Sequence, residues 1–265
     1  MLGFIGCGVM GSTIIKGILS RKFVVPENIS VFDKDGEKTK ELEAAHKVKR
    51  APDLLSLCNE ANLIFLAVKP HEMESLLIKL KPFIQEKHTL ISVAAGLTIS
   101  FFEKNLGKSR KLIRVMPNTP SLVGEGMSVV SKGSQVTDEE EKQVINLLEA
   151  LGKVLPLEEK YIDAATGLSG SGPAYTFMFI EALADGGVEM GLDRETALLL
   201  ASQTVFGAAQ MMIESGEHPA VLKNKVTSPG GTTSAGLIAL EEGGLRNAAI
   251  CAVKEAAERS KLLGK

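Results

Sequence analysis

The sequence lacks the features that mark partners such as nucleic acids and membranes. Lysine and arginine number 30 against 32 acidic residues, so we expect no basic surface of the kind that binds nucleic acid. No apolar run approaches the length of a membrane span, and no membrane partner is expected. The first apolar stretch begins at Met1, so we expect no secretory signal peptide.

Cysteine and histidine are also scarce. The three cysteines, Cys7, Cys58 and Cys251, are odd in number and widely spaced. They predict free thiols in a reducing compartment, and therefore a cytoplasmic protein. The four histidines are scattered without the spacing of metal ligands, so no metal site is expected.

What the sequence does contain is a glycine motif at its start. A short apolar run over residues 2–5 is followed at once by Gly6-Cys7-Gly8-Val9-Met10-Gly11 and then by a helical pattern. Glycine-x-glycine-x-x-glycine between a strand and a helix is typical of dinucleotide binding. Gly6 permits the tight turn, Gly8 lets a pyrophosphate approach the backbone, and Gly11 allows close helix packing.

The second half of this fingerprint is an acidic residue about twenty positions further on. The next apolar run, Ile29–Phe32, ends at Asp33, where a carboxylate can accept a hydrogen bond from a ribose 2′-hydroxyl. A carboxylate there favours NADH, because it repels a 2′-phosphate. Lys34 could offset this preference by pairing with that phosphate. We therefore predict NADPH or NADH as the cofactor and leave the choice between them open.

Strand and helix patterns alternate as far as residue 158. Strands are predicted over 63–68, 90–93, 112–116 and 126–130, with helices between them. Ligands of such sheets bind at the carboxyl ends of the strands, which here carry Lys69 and Ala95. The pattern predicts an α/β protein whose first domain, residues 1–158, is a doubly wound, Rossmann-type sheet.

The remaining residues, 159–265, read as an all-α second domain. Glycine and serine interrupt its first helix over Gly167–Pro173, at a cost of ~1 kcal/mol for each glycine relative to alanine. The interruption has two open interpretations: a kink or close helix crossing, or backbone exposed beside the nicotinamide.

A turn rich in hydroxyls precedes the fourth predicted helix of this half. Val226–Ser234 contains Pro229, two glycines and several Ser and Thr residues. Bared backbone amides at a helix start can bind an anion such as a carboxylate. The alternative is a helix N-cap of the Ser/Thr type.

Several segments, taken together and in order, resemble one family along the whole chain. They are Gly3–Gly11, Ala67–Pro70, Val115–Pro120, Gly167–Tyr175, His218-Pro219 and Ser228–Thr233. In this combination the sequence resembles pyrroline-5-carboxylate reductase. The resemblance implies NAD(P)H-dependent reduction of a cyclic imine to L-proline, by a nucleotide-binding domain followed by a helical domain that pairs with a second subunit. The partners implied are a small cyclic imino acid and other copies of the same chain.

The resemblance also assigns site residues. It places the hydroxyl that bonds the ring nitrogen on Thr233, the predicted catalytic residue. The substrate-binding residues would be Ser228, Gly230, Gly231, Thr232 and Thr233. The cofactor-binding residues would be Ile5, Gly6, Cys7, Gly8, Val9, Met10, Gly11, Asp33, Lys34, Val68, Lys69 and Ala95.

Two other functions stay open at this point. Hydroxyacid dehydrogenases of similar two-domain build use a helix lysine in catalysis, whereas this sequence has no lysine between Lys160 and Lys223. A non-catalytic NAD(P)-binding protein would bind the cofactor and reduce no imine.

Overall fold

The first part of the chain is an eight-stranded sheet, described by a computed structural model that covers residues 1–263. The strands are β1 (Leu2–Ile5), β2 (Ile29–Phe32), β3 (Lys49–Arg50), β4 (Leu63–Leu66), β5 (Thr89–Ser92), β6 (Lys111–Met116), β7 (Gly126–Lys132) and β8 (Gly152–Pro156). Their order across the sheet is β3-β2-β1-β4-β5-β6-β7-β8. All neighbours are parallel except β6 and β7. The predicted doubly wound sheet is thereby confirmed.

The central strands are apolar because helices cover both faces of the sheet. Phe4 on β1 and Phe65 on β4 are fully buried and stack with ring centroids 4.6 Å apart. The helices that follow these strands are α1 (Val9–Ser20), α2 (Gly36–His46), α3 (Leu54–Glu60), α4 (Pro70–Leu80), α5 (Ile99–Leu106) and α6 (Asp138–Leu148). Side chains cap two of these helices: Asp53 caps α3, and Thr137 and Glu140 form a capping box at α6.

Strands β3 and β8 were not predicted, and both lie at the edges of the sheet. Strand β3 has two residues, both exposed, and β8 is mostly exposed and ends at Pro156. Edge strands need no apolar run, because one side faces solvent, so periodicity gives no signal for them.

The rest of the described chain is helical, as predicted, and contains no strand between Tyr161 and Leu263. Its helices are α7 (Ile162–Ala165), α8 (Gly172–Glu189), α9 (Arg194–Ser215), α10 (Pro219–Lys225), α11 (Thr232–Glu242) and α12 (Leu245–Leu263). Between α7 and α8 one turn, Thr166–Gly170, is a π-helix. The interruption predicted over Gly167–Pro173 coincides with this turn and with the start of α8.

The chain forms two compact units. The first comprises Met1–Gly170 together with Glu255–Lys265, and the second comprises Ser171–Lys254. Within the first unit, the Ser260 hydroxyl donates to Asp163 Oδ1 at 2.7 Å, which ties the end of α12 to α7. The functional boundary between residues 158 and 159 stays a prediction.

The second unit exposes much apolar surface. Large apolar side chains with more than half of their surface exposed include Phe177, Met178, Leu199, Phe206, Ile213 and Ile250. Helix α9 is long and apolar enough to cross a membrane by length and composition, although one such helix is weak evidence of a span. This finding corrects the expectation that no apolar run approaches that length. Uncharged Ser, Thr and Gln residues interrupt the apolar run of α9, so it does not read as continuous. The mean hydropathy of the helix nevertheless stays as high as that of a membrane span.

Candidate active site

The glycine motif forms a loop in which two positions, Gly6 and Gly11, require glycine. Gly6 has φ +99°, and a Cβ there would lie 2.6 Å from the Ala67 carbonyl oxygen. A Cβ on Gly11 would lie 2.2 Å from the Gly6 carbonyl oxygen. Around Gly8, by contrast, no atom lies within 4 Å of a Cβ position. Backbone atoms therefore crowd Gly6 and Gly11, whereas the space beside Gly8 is empty. A dinucleotide pyrophosphate can approach the backbone at Gly8.

Helix α1 offers that pyrophosphate free backbone donors. Its N-cap is Gly8, which has no side chain to cap the first amides. These N–H groups and the helix dipole favour an anion. Of the other predicted loop residues, Val9 is exposed, Met10 is half-buried and Ile5 is buried in the sheet.

Cys7 is a structural member of this loop. Its backbone N–H donates to Asp33 Oδ2 at 2.7 Å, so the loop and the tip of β2 are joined directly. Burial, reinforced by the Asp33 carboxylate, raises the pKa of the Cys7 thiol to about 12. The thiol is therefore protonated at neutral pH and is a poor nucleophile.

Asp33 and Lys34, the predicted ribose-side residues, differ in their surroundings. The second oxygen of Asp33, Oδ1, accepts from the Asp35 backbone N–H at 2.9 Å, so two amides hold the carboxylate. The Lys34 ammonium is paired with the Glu72 carboxylate in the first turn of α4. Sequence reasoning missed Glu72, because nothing in its local pattern distinguishes it from other helix-surface acids.

The predicted nicotinamide-side residues lie at the carboxyl ends of β4 and β5. Val68 is half-buried, whereas Lys69 and Ala95 are exposed. Lys69 is the N-cap residue of α4, and its side chain makes no capping bond. Strands β2, β1, β4 and β5 are neighbours in the sheet, and the predicted cofactor residues lie at or just after their carboxyl ends. These residues therefore share the side of the sheet formed by the carboxyl ends of the strands.

Asn118 is a second residue that sequence reasoning did not single out. It follows β6, is 9% exposed and accepts from the Met127 backbone N–H at 2.8 Å. Its side-chain N–H₂ donates to the Ser169 carbonyl at 3.0 Å, inside the π-helical turn. Asn118 thereby fixes this turn at the carboxyl end of β6. π-Helical turns are rare and frequently accompany functional sites.

In the second unit, the predicted substrate turn leads directly into α11. Gly230 has φ +67°, a conformation that favours glycine. A Cβ on Gly231 would lie 2.3 Å from Ser228 Oγ, so a larger residue there would displace the Ser228 side chain. The N-cap residue of α11 is Gly231, and no side chain caps the helix. The interpretation of this turn as a Ser/Thr N-cap is therefore wrong.

Three hydroxyls of this turn have no partner within the described part of the chain, whereas the Thr227 hydroxyl donates to the Lys223 carbonyl at 2.7 Å. Ser228, Thr232 and Thr233 are exposed, and their hydroxyls form no hydrogen bond with residues 1–263. Uncapped amides and free hydroxyls stand side by side here, as binding of a small carboxylate would require.

His88, a titratable side chain outside the candidate site, has a structural role. His88 is buried, accepts from the Gln85 backbone N–H at Nδ1 and approaches the Cys58 carbonyl with Nε2, both at 2.8 Å. Burial lowers the pKa of its imidazole. Within residues 1–263, no three His, Cys, Asp or Glu side chains gather as metal ligands would.

Two family models match the chain. Residues 159–263 match the model described as pyrroline-5-carboxylate reductase dimerisation. Residues 1–96 match the model described as NADP oxidoreductase coenzyme F420-dependent.

Relatives match over the full length. The chain is 44% identical over 264 residues to the pyrroline-5-carboxylate reductase of Methanosarcina acetivorans, covering 100% of this chain and 98% of that one. The structure of the Coxiella burnetii pyrroline-5-carboxylate reductase has 36% identity and a TM-score of 0.95, covering 100% and 98% of the two chains. The Plasmodium falciparum pyrroline carboxylate reductase, solved with NADP bound, has 35% identity and a TM-score of 0.89, with the same coverage.

The open glycine loop, the carboxylate held against it and the helical second half define the class as an NAD(P)-dependent oxidoreductase. Neither alternative, a hydroxyacid dehydrogenase or a non-catalytic dinucleotide-binding protein, gains support from these matches. Within that class, the chain belongs to the pyrroline-5-carboxylate reductase family.

Proposed function

We propose that this protein reduces 1-pyrroline-5-carboxylate to L-proline with NADPH or NADH, the last step of proline biosynthesis. The observation that carries the proposal is the uncapped, glycine-built turn before α11, in a chain that matches reductases of this substrate from end to end. The substrate has one carboxylate and one ring nitrogen, and the turn offers donors and acceptors suited to both.

The substrate carboxylate would be held by backbone amides. Gly230 and Thr232 would supply the N–H groups, and the Ser228 hydroxyl would donate a further bond. The Gly231 N–H already donates to the Ser228 carbonyl at 3.1 Å, so Gly231 shapes the turn. The Thr233 hydroxyl would bond the ring nitrogen. None of these groups is a strong acid or base, so they orient the ring and leave its protonation to the solvent.

The cofactor would lie along the sheet edge of the first unit. Its pyrophosphate would meet the amides at Gly8 and the start of α1, and its adenine ribose would meet Asp33. Val68, Lys69 and Ala95 would flank the nicotinamide, which supplies the hydride when bound.

The chemistry suits a site without a strong acid. A cyclic imine nitrogen is protonated near neutral pH, so the neighbouring carbon is electrophilic before it binds. The protein's contribution is then placement, with the reacting atoms ~3–3.5 Å apart. The Thr233 hydroxyl can accept from the iminium N–H and later donate to, or accept from, the amine product.

Oxidation of NADH and of NADPH in the presence of pyrroline-5-carboxylate tests the proposal. We expect substrate-dependent oxidation with at least one cofactor, and proline as the product by mass spectrometry. Cofactor binding without oxidation would indicate a non-catalytic binding protein. Oxidation of 2-hydroxy acids instead would indicate a dehydrogenase.

We further propose a cytoplasmic homo-oligomer that forms through residues 159–265, without nucleic-acid or membrane partners. The match of residues 159–263 to a dimerisation model supports the interface. The three cysteines, all free thiols, support a reducing compartment.

A further inference from the structure

The ion pair between Lys34 and Glu72 joins elements on the two sides of the glycine loop. Lys34 follows β2 and Glu72 lies in the first turn of α4, directly after β4. In the sheet, β1 lies between β2 and β4, and the glycine loop begins where β1 ends. The pair therefore connects the ribose side of the predicted cofactor site to its nicotinamide side.

The pair also engages Lys34, the cation that directly follows the ribose carboxylate in the sequence. The hydrogen bond with Glu72 raises the pKa of the Lys34 ammonium, and the same bond lowers the pKa of the Glu72 carboxyl. Both groups are therefore charged near neutral pH. While Lys34 contacts Glu72, its ammonium already has an anionic partner.

Such an exposed pair is weak enough to exchange partners. The Lys34 side chain is 76% exposed and that of Glu72 is 31% exposed. Exposed ion pairs contribute little free energy because water screens them. A phosphate carries more charge than a carboxylate, and it can therefore compete with Glu72 for the ammonium.

We propose that Glu72 is a specificity-determining residue, which competes with the 2′-phosphate of NADP(H) for Lys34. Glu72 thereby acts together with Asp33: Asp33 repels the phosphate, and Glu72 occupies the cation that would attract it. This inference rests on the cofactor half of the proposed function and not on the identity of the imine.

The test measures binding of two cofactor fragments, adenosine 5′-monophosphate and adenosine 2′,5′-bisphosphate, by calorimetry. Glu72→Gln should tighten binding of the bisphosphate about two- to five-fold, the range expected for an exposed charge pair. Its affinity for the monophosphate should stay unchanged. The matched control is Glu74→Gln, which removes an equal charge from an exposed position of the same helix and should change neither affinity selectively.

A second background separates competition for Lys34 from a general charge effect. In Lys34→Met, the bisphosphate should bind more weakly, and adding Glu72→Gln should produce no selective gain. A gain that persists without Lys34 would overturn the proposal, as would a Glu72→Gln variant that binds both fragments like the wild type. Absence of fragment binding in the wild type would overturn both this inference and the cofactor half of the proposed function. If instead the predicted shifts occur but pyrroline-5-carboxylate is not reduced, the proposed reaction fails and the role of Glu72 stands.

Discussion

At the scale of single residues, Thr233 is the position on which the proposed chemistry depends most. It is the second residue of α11, and its exposed hydroxyl lies beside the uncapped amides of the turn. Thr233→Val keeps the side-chain shape and removes one hydrogen bond to a charged group, at ~1.5–3 kcal/mol. We expect kcat/KM for pyrroline-5-carboxylate to fall roughly ten- to a hundred-fold, by steady-state kinetics.

Cofactor affinity provides the control for Thr233→Val. NAD(P)H should bind as it does to the wild type, because the glycine loop lies in the other compact unit. A variant with full efficiency would mean that the ring nitrogen is held elsewhere, and Thr232 and Ser228 would then be the residues to replace.

His88 gives a prediction about pH. Protonation at Nδ1 would break the bond from the Gln85 amide, and burial already lowers the pKa of the imidazole in the folded state. Stability from neutral His88 is therefore complete above the unfolded-state pKa of ~6.5 and is lost as the pH falls toward the lower folded-state value. Urea unfolding should show the free energy of unfolding decreasing below about pH 6.5. His88→Gln should remove part of this dependence, and an unchanged pH profile in that variant would contradict the assignment.

Cys7 gives a prediction about reactivity. Its thiol is buried, with a pKa of about 12, so almost none is thiolate at pH 8. Iodoacetamide should leave Cys7 unmodified in the native protein and modify it after denaturation, as mass spectrometry of the peptides would show. Rapid native alkylation would mean that the loop opens in solution.

At the scale of secondary-structure elements, the π-helical turn depends on Asn118. Asn118→Ala would leave the Met127 amide and the Ser169 carbonyl without their partners. Both bonds are partly buried, so each loss should cost about 1–2 kcal/mol, the lower part of the range for an unsatisfied group. We expect the free energy of unfolding to drop by roughly 2–4 kcal/mol in urea titrations. The control is Asn105→Ala, which removes a single bond to Phe101 within α5 and should cost less. Equal losses would mean that Asn118 has no special anchoring role.

The contrast between elements shows what the sequence can predict. Caps such as Asp53 and Thr137 are local, since each bonds an amide three residues away, so their pattern is visible in the sequence. The glycine loop was also predicted, because its glycine spacing is a local motif; close backbone approaches restrict Gly6 and Gly11 to glycine. Asn118 and Glu72 were missed because their partners lie 51 and 38 residues away, and only the folded chain brings them together. The edge strands β3 and β8 were missed because solvent-facing strands need no apolar pattern.

At the scale of the whole molecule, the exposed apolar side chains of the second unit predict association. Leu199 on α9 is 67% exposed and Ile213 is 72% exposed, and the match to a dimerisation model covers both. An obligate interface of ~2,000 Å² or more should bury such side chains. Sedimentation at micromolar concentration should show a dimer or a larger assembly, and Leu199→Arg should weaken it. A wild-type monomer would contradict the prediction.

The path of the chain has a consequence for how the protein is made. The unit that carries the glycine loop includes residues up to Gly170 and is completed by the stretch from Glu255 onward. During translation the strands of the sheet are synthesised first. The hydrogen bond between Ser260 and Asp163 can form only after the last turns of α12 have been synthesised. Domains usually mature in order of synthesis. Here the unit that carries the glycine loop is finished only after the second unit, so translation must pass Ser260 before the nucleotide-binding half has all of its parts.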